Sequence, residues 1–267
     1  MVAAVGGDVT FADVARRGQP LDGELVVDAH THMGGSMTHY YVPQGESGPL
    51  VDYMDIYGID AACTFAYAGV TSDFVYGNDQ VAAAQAAHPE RVIGYATLNA
   101  NYPEEVVAEL DRCERLGLKG IKLISGYQGH SEETERFFPV YEWAQQHRKI
   151  ILSHQWGRPE FLAALAPRYP DVAFLIGHLN LDYAPVVRSQ DNVYTTTTFV
   201  PWPAAIEQAL AAFGDEKVLF GSDFPDLDVS LNLGPLLTAK VSDDSKRRVL
   251  GLNMQRLLCE HGVPGWD

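Results

Sequence analysis

The chain has 267 residues, of which 46% are hydrophobic and 20% charged, a composition typical of a folded globular domain rather than a disordered chain. With 35 acidic and 19 basic residues, its net charge of −16 argues against nucleic acid and anionic membrane surfaces as partners. The three cysteines are isolated in the sequence, so no disulfide framework is predicted. We recognise no signal peptide and no run of about 18 apolar residues that would span a membrane. We therefore expect a cytoplasmic protein.

Short apolar segments alternate with helical segments from residue 24 onward. Eight of the apolar segments are predicted strands. They cover residues 25–30, 60–66, 92–98, 119–124, 149–154, 172–178, 192–197 and 217–222. The predicted helices between and after them are Val81–His88, Pro103–Leu116, Phe137–Gln146, Glu160–Tyr169, Pro203–Phe213 and Asp243–Glu260.

This alternation predicts parallel β-α-β units, and eight of them in about 240 residues predict an α/β fold, the closed (β/α)8 TIM barrel. An open doubly wound sheet is disfavoured because no Gly-x-Gly-x-x-Gly follows the first strand. We expect one barrel domain over residues 25–267, preceded by an N-terminal extension over residues 1–24. The long connection 33–50 is interpreted either as a lid over the site or as a mobile surface loop.

Two histidines stand at the end of the first predicted strand. His30 and His32 are two positions apart, so their side chains point to the same face of a strand. Two neutral imidazoles side by side form the first half of a metal site. The alternative is a pair of polar residues that leave a strand for a loop.

Three later strands also end in residues that bind metals. His154 ends the fifth strand, His178 the sixth and Asp223 the eighth. The carboxyl ends of all strands in such a barrel face one mouth, where active sites lie. Each residue alone is explained as a polar strand end or a turn residue, but the set in one register predicts a divalent metal centre.

The motifs around these residues resemble those of the amidohydrolase superfamily, in the branch that includes aminocarboxymuconate-semialdehyde decarboxylase. The motifs are Asp28-Ala-His-Thr-His32, Leu152-Ser-His154, Ile176-Gly-His178 and Phe220-Gly-Ser-Asp-Phe-Pro225. The resemblance implies that His30, His32, His154 and Asp223 bind one divalent ion per chain, Zn²⁺ or another metal. It also implies that Asp223 shares a proton with the metal-bound water and that His178 polarises that water or acts as an acid or base.

Lys122 in the fourth strand is predicted to point into the barrel, because Ile121 and Leu123 take the positions toward the helices. A lysine inside the barrel needs a partner. Its partner is interpreted as Asp28, in an ion pair, or as a substrate carboxylate. The resemblance to binuclear members adds a third role, a carboxylated lysine that shares a second ion with His154 and His178. We favour the first two roles, because the branch that this chain resembles is mostly mononuclear.

The leading hypothesis for function is a metal-dependent hydrolase of a small amide, lactone or ester, with Asp223 as the base and His178 as the polarising group. The alternative is a metal-dependent, non-oxidative decarboxylase of an aromatic or unsaturated carboxylic acid. It needs a cation from Lys122, Arg158 or Arg188 to hold the carboxylate. The chain is short for the decarboxylase members, which favours hydrolysis. A barrel that keeps its ligands only for stability or for binding is the third interpretation.

Four residues after strand ends are further candidates for substrate contacts. They are Arg158, Trp156, Tyr127 and Tyr67. We expect a small-molecule substrate and no nucleic acid or membrane partner. The oligomeric state stays open, and a homo-oligomer is one interpretation, because members of the family that this chain resembles commonly form dimers or larger assemblies.

Overall fold

The eight predicted strands form one parallel sheet that curves into a barrel. The computed structural model describes residues 10–34, 47–71, 73–200 and 202–266. The strands are β1 (Val27–Met33), β2 (Ala61–Ala66), β3 (Val92–Thr97), β4 (Gly120–Leu123), β5 (Ile150–Ser153), β6 (Ala173–Ile176), β7 (Val193–Thr196) and β8 (Val218–Leu219). Each strand pairs in parallel with the next one in the chain. The predicted (β/α)8 barrel is therefore confirmed.

Hydrogen bonds join the last strand to the first. The N–H of Ala29 donates to the carbonyl of Phe220, and the N–H of Asp223 donates to the carbonyl of His30, each over 2.9 Å. These bonds place the segment after β8 directly beside the histidines of β1.

The α-helices lie between and after the strands. They are α1 (Phe11–Arg17), α2 (Ser47–Tyr57), α3 (Ala68–Thr71), α4 (Phe74–Ala87), α5 (Val106–Leu116), α6 (Phe138–Gln146), α7 (Pro159–Leu165), α8 (Ala184–Ser189), α9 (Ala205–Phe213), α10 (Ser230–Thr238), α11 (Asp243–Arg247) and α12 (Asn253–Glu260). Short 3-10 helices cover Ser125–Gln128, Glu135–Phe137, Ala166–Arg168 and Leu181–Tyr183, and a π-helix covers Arg248–Leu252. In the described part of the chain, no helix has the length and apolar character needed to cross a membrane.

The bounds of several predicted elements shift by a few residues, as in α4, which begins at Phe74 rather than at Val81, and two segments differ further. The single helix expected over residues 243–260 is divided by the π-helix into α11 and α12. The connection 33–50 is shorter than expected, because β1 extends to Met33 and α2 begins at Ser47. Residues 35–46 of this connection lie outside the described residues, and so does the predicted lid.

Alternate residues of the strands form two separate apolar clusters. The inner cluster fills the barrel and includes Phe65, Tyr95 and Leu152. The outer cluster, which includes Ile151 and Phe174, packs between the strands and the helices. This separation follows from the two-residue periodicity of side chains in a strand.

The C-terminal helix α12 covers the end of the barrel opposite the histidines. Met254, Leu257 and Leu258 belong to the inner cluster. Asn253 donates to the carbonyl of Val218, at the start of β8, over 2.8 Å. The helix therefore closes the barrel at its amino-terminal end and leaves the other end for the site.

We expect Met254→Ala to lower the free energy of unfolding by about 2–5 kcal/mol, because it opens a cavity under the barrel. Met254 is fully buried, whereas Leu252 in the same segment is 44% exposed. Leu252→Ala is the matched control, with an expected change of about 0.5 kcal/mol or less. Urea unfolding of both variants measures the difference, and equal losses would contradict the proposed packing role of α12.

Strand β1 carries a bulge between Asp28 and Thr31. Oδ1 of Asp28 accepts hydrogen bonds from the backbone N–H of His30 (3.1 Å) and of Ser222 (3.0 Å). Asp28 thus ties β1 to the turn after β8. An ion pair between Asp28 and Lys122, one of the roles considered for this lysine, is not formed among the described residues, because Lys122 contacts His30 instead. A bulge breaks the strict alternation from which that ion pair was predicted.

Candidate active site

The two histidines of β1 lie side by side at the carboxyl end of the barrel. His30 is fully buried and His32 is 4% exposed. Their ring centroids are 5.1 Å apart. Nδ1 of His30 lies 2.7 Å from the carbonyl oxygen of Gly177. Because that oxygen only accepts hydrogen bonds, Nδ1 carries the proton and Nε2 keeps its lone pair, which is the form that binds metals.

Asp223 faces both histidines from the turn after β8. Its Oδ1 is 2.7 Å from Nε2 of His32 and 3.5 Å from Nε2 of His30. Its φ of 63° lies in the left-handed region, which aspartate tolerates better than most residues. Burial raises the pKa of Asp223, but the hydrogen bond with His32 and the facing imidazoles outweigh it and hold the pKa well below its usual range. The carboxylate is therefore ionised at neutral pH.

His154 and His178 form a second pair of imidazoles at the same mouth. Nε2 of His178 lies 2.9 Å from Nδ1 of His154. The ring of His178 is also 5.3 Å from that of His30. Burial is the main cause that lowers the pKa of His154 to about 3 and that of His178 to about 4. Both rings are therefore neutral at neutral pH, and one donates a hydrogen bond to the other.

These donors fit a divalent ion. Ligand atoms of His30, His178 and Asp223 all lie within 4.8 Å of one another, and so do those of His32, Asp223 and Asp226. Imidazole nitrogens with a carboxylate oxygen are ligands that zinc and similar divalent metals accept. Nδ1 of His32 is buried without a hydrogen-bond partner among the described residues. Of the two histidines at the ends of β5 and β6, these groups of ligand atoms include His178 and not His154. His154 contacts them through its hydrogen bond with His178.

Lys122 is the buried lysine that the described residues place in this cluster. It is 1% exposed. Its Nζ is 2.7 Å from Nε2 of His30 and 4.7 Å from the ring centroid of Phe65. Burial lowers its pKa to about 7, although the carboxylates of Asp223 and Glu132 act in the opposite direction. The expectation that Lys122 points into the barrel is met.

Of the three aromatic candidates, the structure brings two to the site. Tyr67 stacks on His32 with ring centroids 4.9 Å apart, and its hydroxyl donates to Asp226. Tyr127 is 37% exposed, and its ring lies 5.9 Å from that of His154. Trp156 is fully buried and donates to the carbonyl of Leu175. It packs in the outer cluster, between strands and helices, so it is not a wall of the mouth.

Among the described residues, the two arginine candidates have their partners outside the cluster. The side chain of Arg158 is 75% exposed and forms an ion pair with Glu133 at 2.7 Å. Arg188 is exposed and donates to the carbonyl of Ala211 over 3.4 Å. Lys122 is therefore the candidate cation that is in place to meet a substrate carboxylate.

Two glycines that give the histidines their space were not predicted from the sequence. A Cβ at Gly177 would lie 2.6 Å from the carbonyl oxygen of Ser153 and 3.1 Å from Cε1 of His30. A Cβ at Gly221 would lie 3.1 Å from Cβ of His30. Both glycines belong to motifs that were identified by their histidine or aspartate. The sequence shows these positions, but it does not show that the glycines pack against His30.

Comparison with known proteins shows the family. A model of the Amidohydrolase family matches residues 27–258. The 2-amino-3-carboxymuconate-6-semialdehyde decarboxylase of Dictyostelium discoideum is 32% identical over 82 residues, which are 30% of this chain and 23% of that protein. The match thus spans about a quarter of that relative's length.

Solved structures share the fold over most of the chain. The 5-carboxyvanillate decarboxylase LigW of Sphingomonas paucimobilis has a TM-score of 0.70 and 17% identity, over 87% of this chain and 98% of that one. The dihydroxybenzoic acid decarboxylase of Polaromonas sp. JS666, solved with manganese and 2-nitroresorcinol, has a TM-score of 0.74 and 16% identity, over 88% and 97%. Similarity at such low identity establishes the fold alone.

Proposed function

Since this chain belongs to the amidohydrolase family, we propose that it is a metal-dependent decarboxylase of a small aromatic or unsaturated carboxylic acid. The observation that carries this proposal is Lys122, a buried lysine with Nζ 2.7 Å from Nε2 of His30. A cation beside the metal donors is what a substrate carboxylate requires and what an uncharged ester or lactone does not. The decarboxylases among the similar proteins support decarboxylation over hydrolysis, which was the leading hypothesis from the sequence.

We assign the metal to His30, His32, His154 and Asp223, with His178 beside them. A divalent ion held there supplies a Lewis acid that withdraws charge from the substrate. Zinc and manganese both suit these ligands, and manganese is the ion in the Polaromonas protein. We expect about one ion per chain, to be measured by plasma mass spectrometry on protein purified without added metal.

The side chains of the mouth have separate tasks in this reaction. Decarboxylation breaks the bond between a carbon and the carboxylate, releases CO2, and requires a proton on that carbon. The hydrogen-bonded pair His154 and His178 and the carboxylate of Asp223 are the groups that hold and transfer this proton. Lys122 holds the carboxylate by its charge, and the ring of Tyr127 packs against a flat substrate.

The deciding experiment measures CO2 release from a panel of hydroxybenzoates and unsaturated dicarboxylates, beside a panel of esters, lactones and amides. Metal-dependent CO2 release from one of the acids supports the proposal. Metal-dependent hydrolysis of a neutral substrate, without CO2 release from any acid, would overturn it.

A hydrolase is the second candidate, and Asp223 favours it. Its ionised carboxylate lies 2.7 Å from His32, inside the set of metal donors, where it can take a proton from water. The ester, lactone and amide panel tests this candidate directly.

We expect Arg158→Met and Arg188→Met to leave KM for the acid within about twofold, because both side chains are exposed and have their partners outside the cluster. Steady-state kinetics of the two variants measures this effect. A KM raised about tenfold or more in either variant would show that an arginine, and not Lys122, holds the carboxylate.

A further inference from the structure

The lone pair on Nε2 of His30 is needed by two groups. Nδ1 of His30 donates to Gly177 over 2.7 Å, so Nε2 carries the one lone pair in the plane of the ring. Nζ of Lys122 lies 2.7 Å from this nitrogen, at hydrogen-bond distance. A metal ion bound by His30 takes the same lone pair. The lysine hydrogen bond and the metal bond therefore exclude each other.

Lys122 has little else to hold it at this place. His30 is its hydrogen-bond partner within the described residues, and its Nζ also lies 4.7 Å from the ring centroid of Phe65. The carboxylates of Asp223 and Glu132 act on it through their charge. An ammonium that loses His30 to a divalent cation is also repelled by that cation. A substrate carboxylate lying between the two cations would relieve this repulsion and give Lys122 a new partner.

We propose that Lys122 is a gate on the metal centre: its ammonium occupies Nε2 of His30 until a divalent ion displaces it, and the displaced ammonium then receives the substrate carboxylate. The second half of this statement rests on the proposed decarboxylase function, whereas the first half concerns the ion alone. The gate makes binding ordered, with the ion before the acid. It also couples the binding of the ion to the binding of the acid, since each of them raises the affinity of the site for the other.

The first test measures the affinity of purified, chelator-treated protein for Mn²⁺ in the absence of substrate, by competition with a fluorescent chelator. Lys122→Met removes both the competing hydrogen bond and the repulsion, so we expect its Kd for Mn²⁺ to fall about tenfold or more. Lys149→Met is the matched control, because Lys149 is also buried but pairs with Glu114 at 2.6 Å, outside the site. Its Kd for Mn²⁺ stays within about twofold of the unsubstituted protein. An unchanged or weaker affinity of Lys122→Met would overturn the gate.

The second test separates competition for the lone pair from simple charge repulsion. Crystal structures of the unsubstituted protein without metal and loaded with Mn²⁺ should show the contact between Lys122 and Nε2 of His30 only in the first. The proposal is wrong if the contact persists with Mn²⁺ bound, or if it is missing without metal even though Lys122→Met binds Mn²⁺ more tightly.

The role of the displaced ammonium is tested by binding. An unreactive nitro analogue of a hydroxybenzoate should bind the Mn²⁺-loaded protein about tenfold more tightly than the metal-free protein, and this gain should be smaller in Lys122→Met, where the ion alone attracts the analogue. Equal gains in both proteins would refute this role. If these results hold and no acid releases CO2, the gate stands and the proposed decarboxylase function fails.

Discussion

Asp223→Asn is expected to lower kcat/KM by about 10³-fold or more, with the melting temperature changed by only about 5 °C or less. The substitution removes an anionic metal ligand and the group that takes a proton at the mouth. Asparagine has the same shape and also tolerates the left-handed backbone, here with φ of 63°. The backbone N–H that donates to His30 over 2.9 Å is retained. Steady-state kinetics together with thermal unfolding measures both quantities.

The control for this prediction is Asp182→Asn. Asp182 is exposed on the 3-10 helix after β6, and its removal changes the net charge equally. Its kcat/KM should stay within about twofold. If Asp223→Asn kept a tenth or more of the activity, the carboxylate would have no direct part in the reaction.

Gly177→Ala is expected to weaken the affinity for the metal ion by about 10–100-fold. A Cβ at this position would lie 2.6 Å from the carbonyl oxygen of Ser153, in the neighbouring strand, and 3.1 Å from Cε1 of His30. The strand cannot move away without breaking its pairing, so the ring of His30 and the carbonyl that holds it are displaced instead. Overpacking of this kind also costs about 1–3 kcal/mol of the free energy of unfolding.

The matched control is Gly126→Ala, in the 3-10 helix after β4, where an added Cβ would meet nothing within 4 Å. Titration with Mn²⁺ and urea unfolding of the two variants compare the same chemical change at a crowded and an open position. Normal metal affinity in Gly177→Ala would show that the space beside His30 is not what positions its ring.

The barrel and the meeting of its polar strand ends could be predicted from the sequence. Strands and helices alternate with a local periodicity that neighbouring residues carry by themselves. In a barrel of parallel strands, every strand end reaches the same mouth. For this reason His32 and Asp223 could be assigned to one site, although they are 191 positions apart in the chain.

The short helices and the exact strand ends were less accessible to sequence analysis. Helices α1, α2, α3, α8 and α10 were not predicted, and two of them, α3 and α8, are only 4 and 6 residues long. Isolated helices of that length are unstable, so packing rather than local sequence holds them. The bulge in β1 also depends on a partner, because Asp28 reaches across to Ser222.

The sequence by itself determined the fold, the mouth at which the site lies, and the residues His30, His32, His154, His178 and Asp223 that gather there. Only the tertiary structure decided which cation joins them. Lys122 meets His30 because β4 faces β1 across the barrel, whereas Arg158 turns away to pair with Glu133. The partner of each basic side chain depends on distances between residues far apart in the chain. The local periodicity of a sequence does not contain those distances.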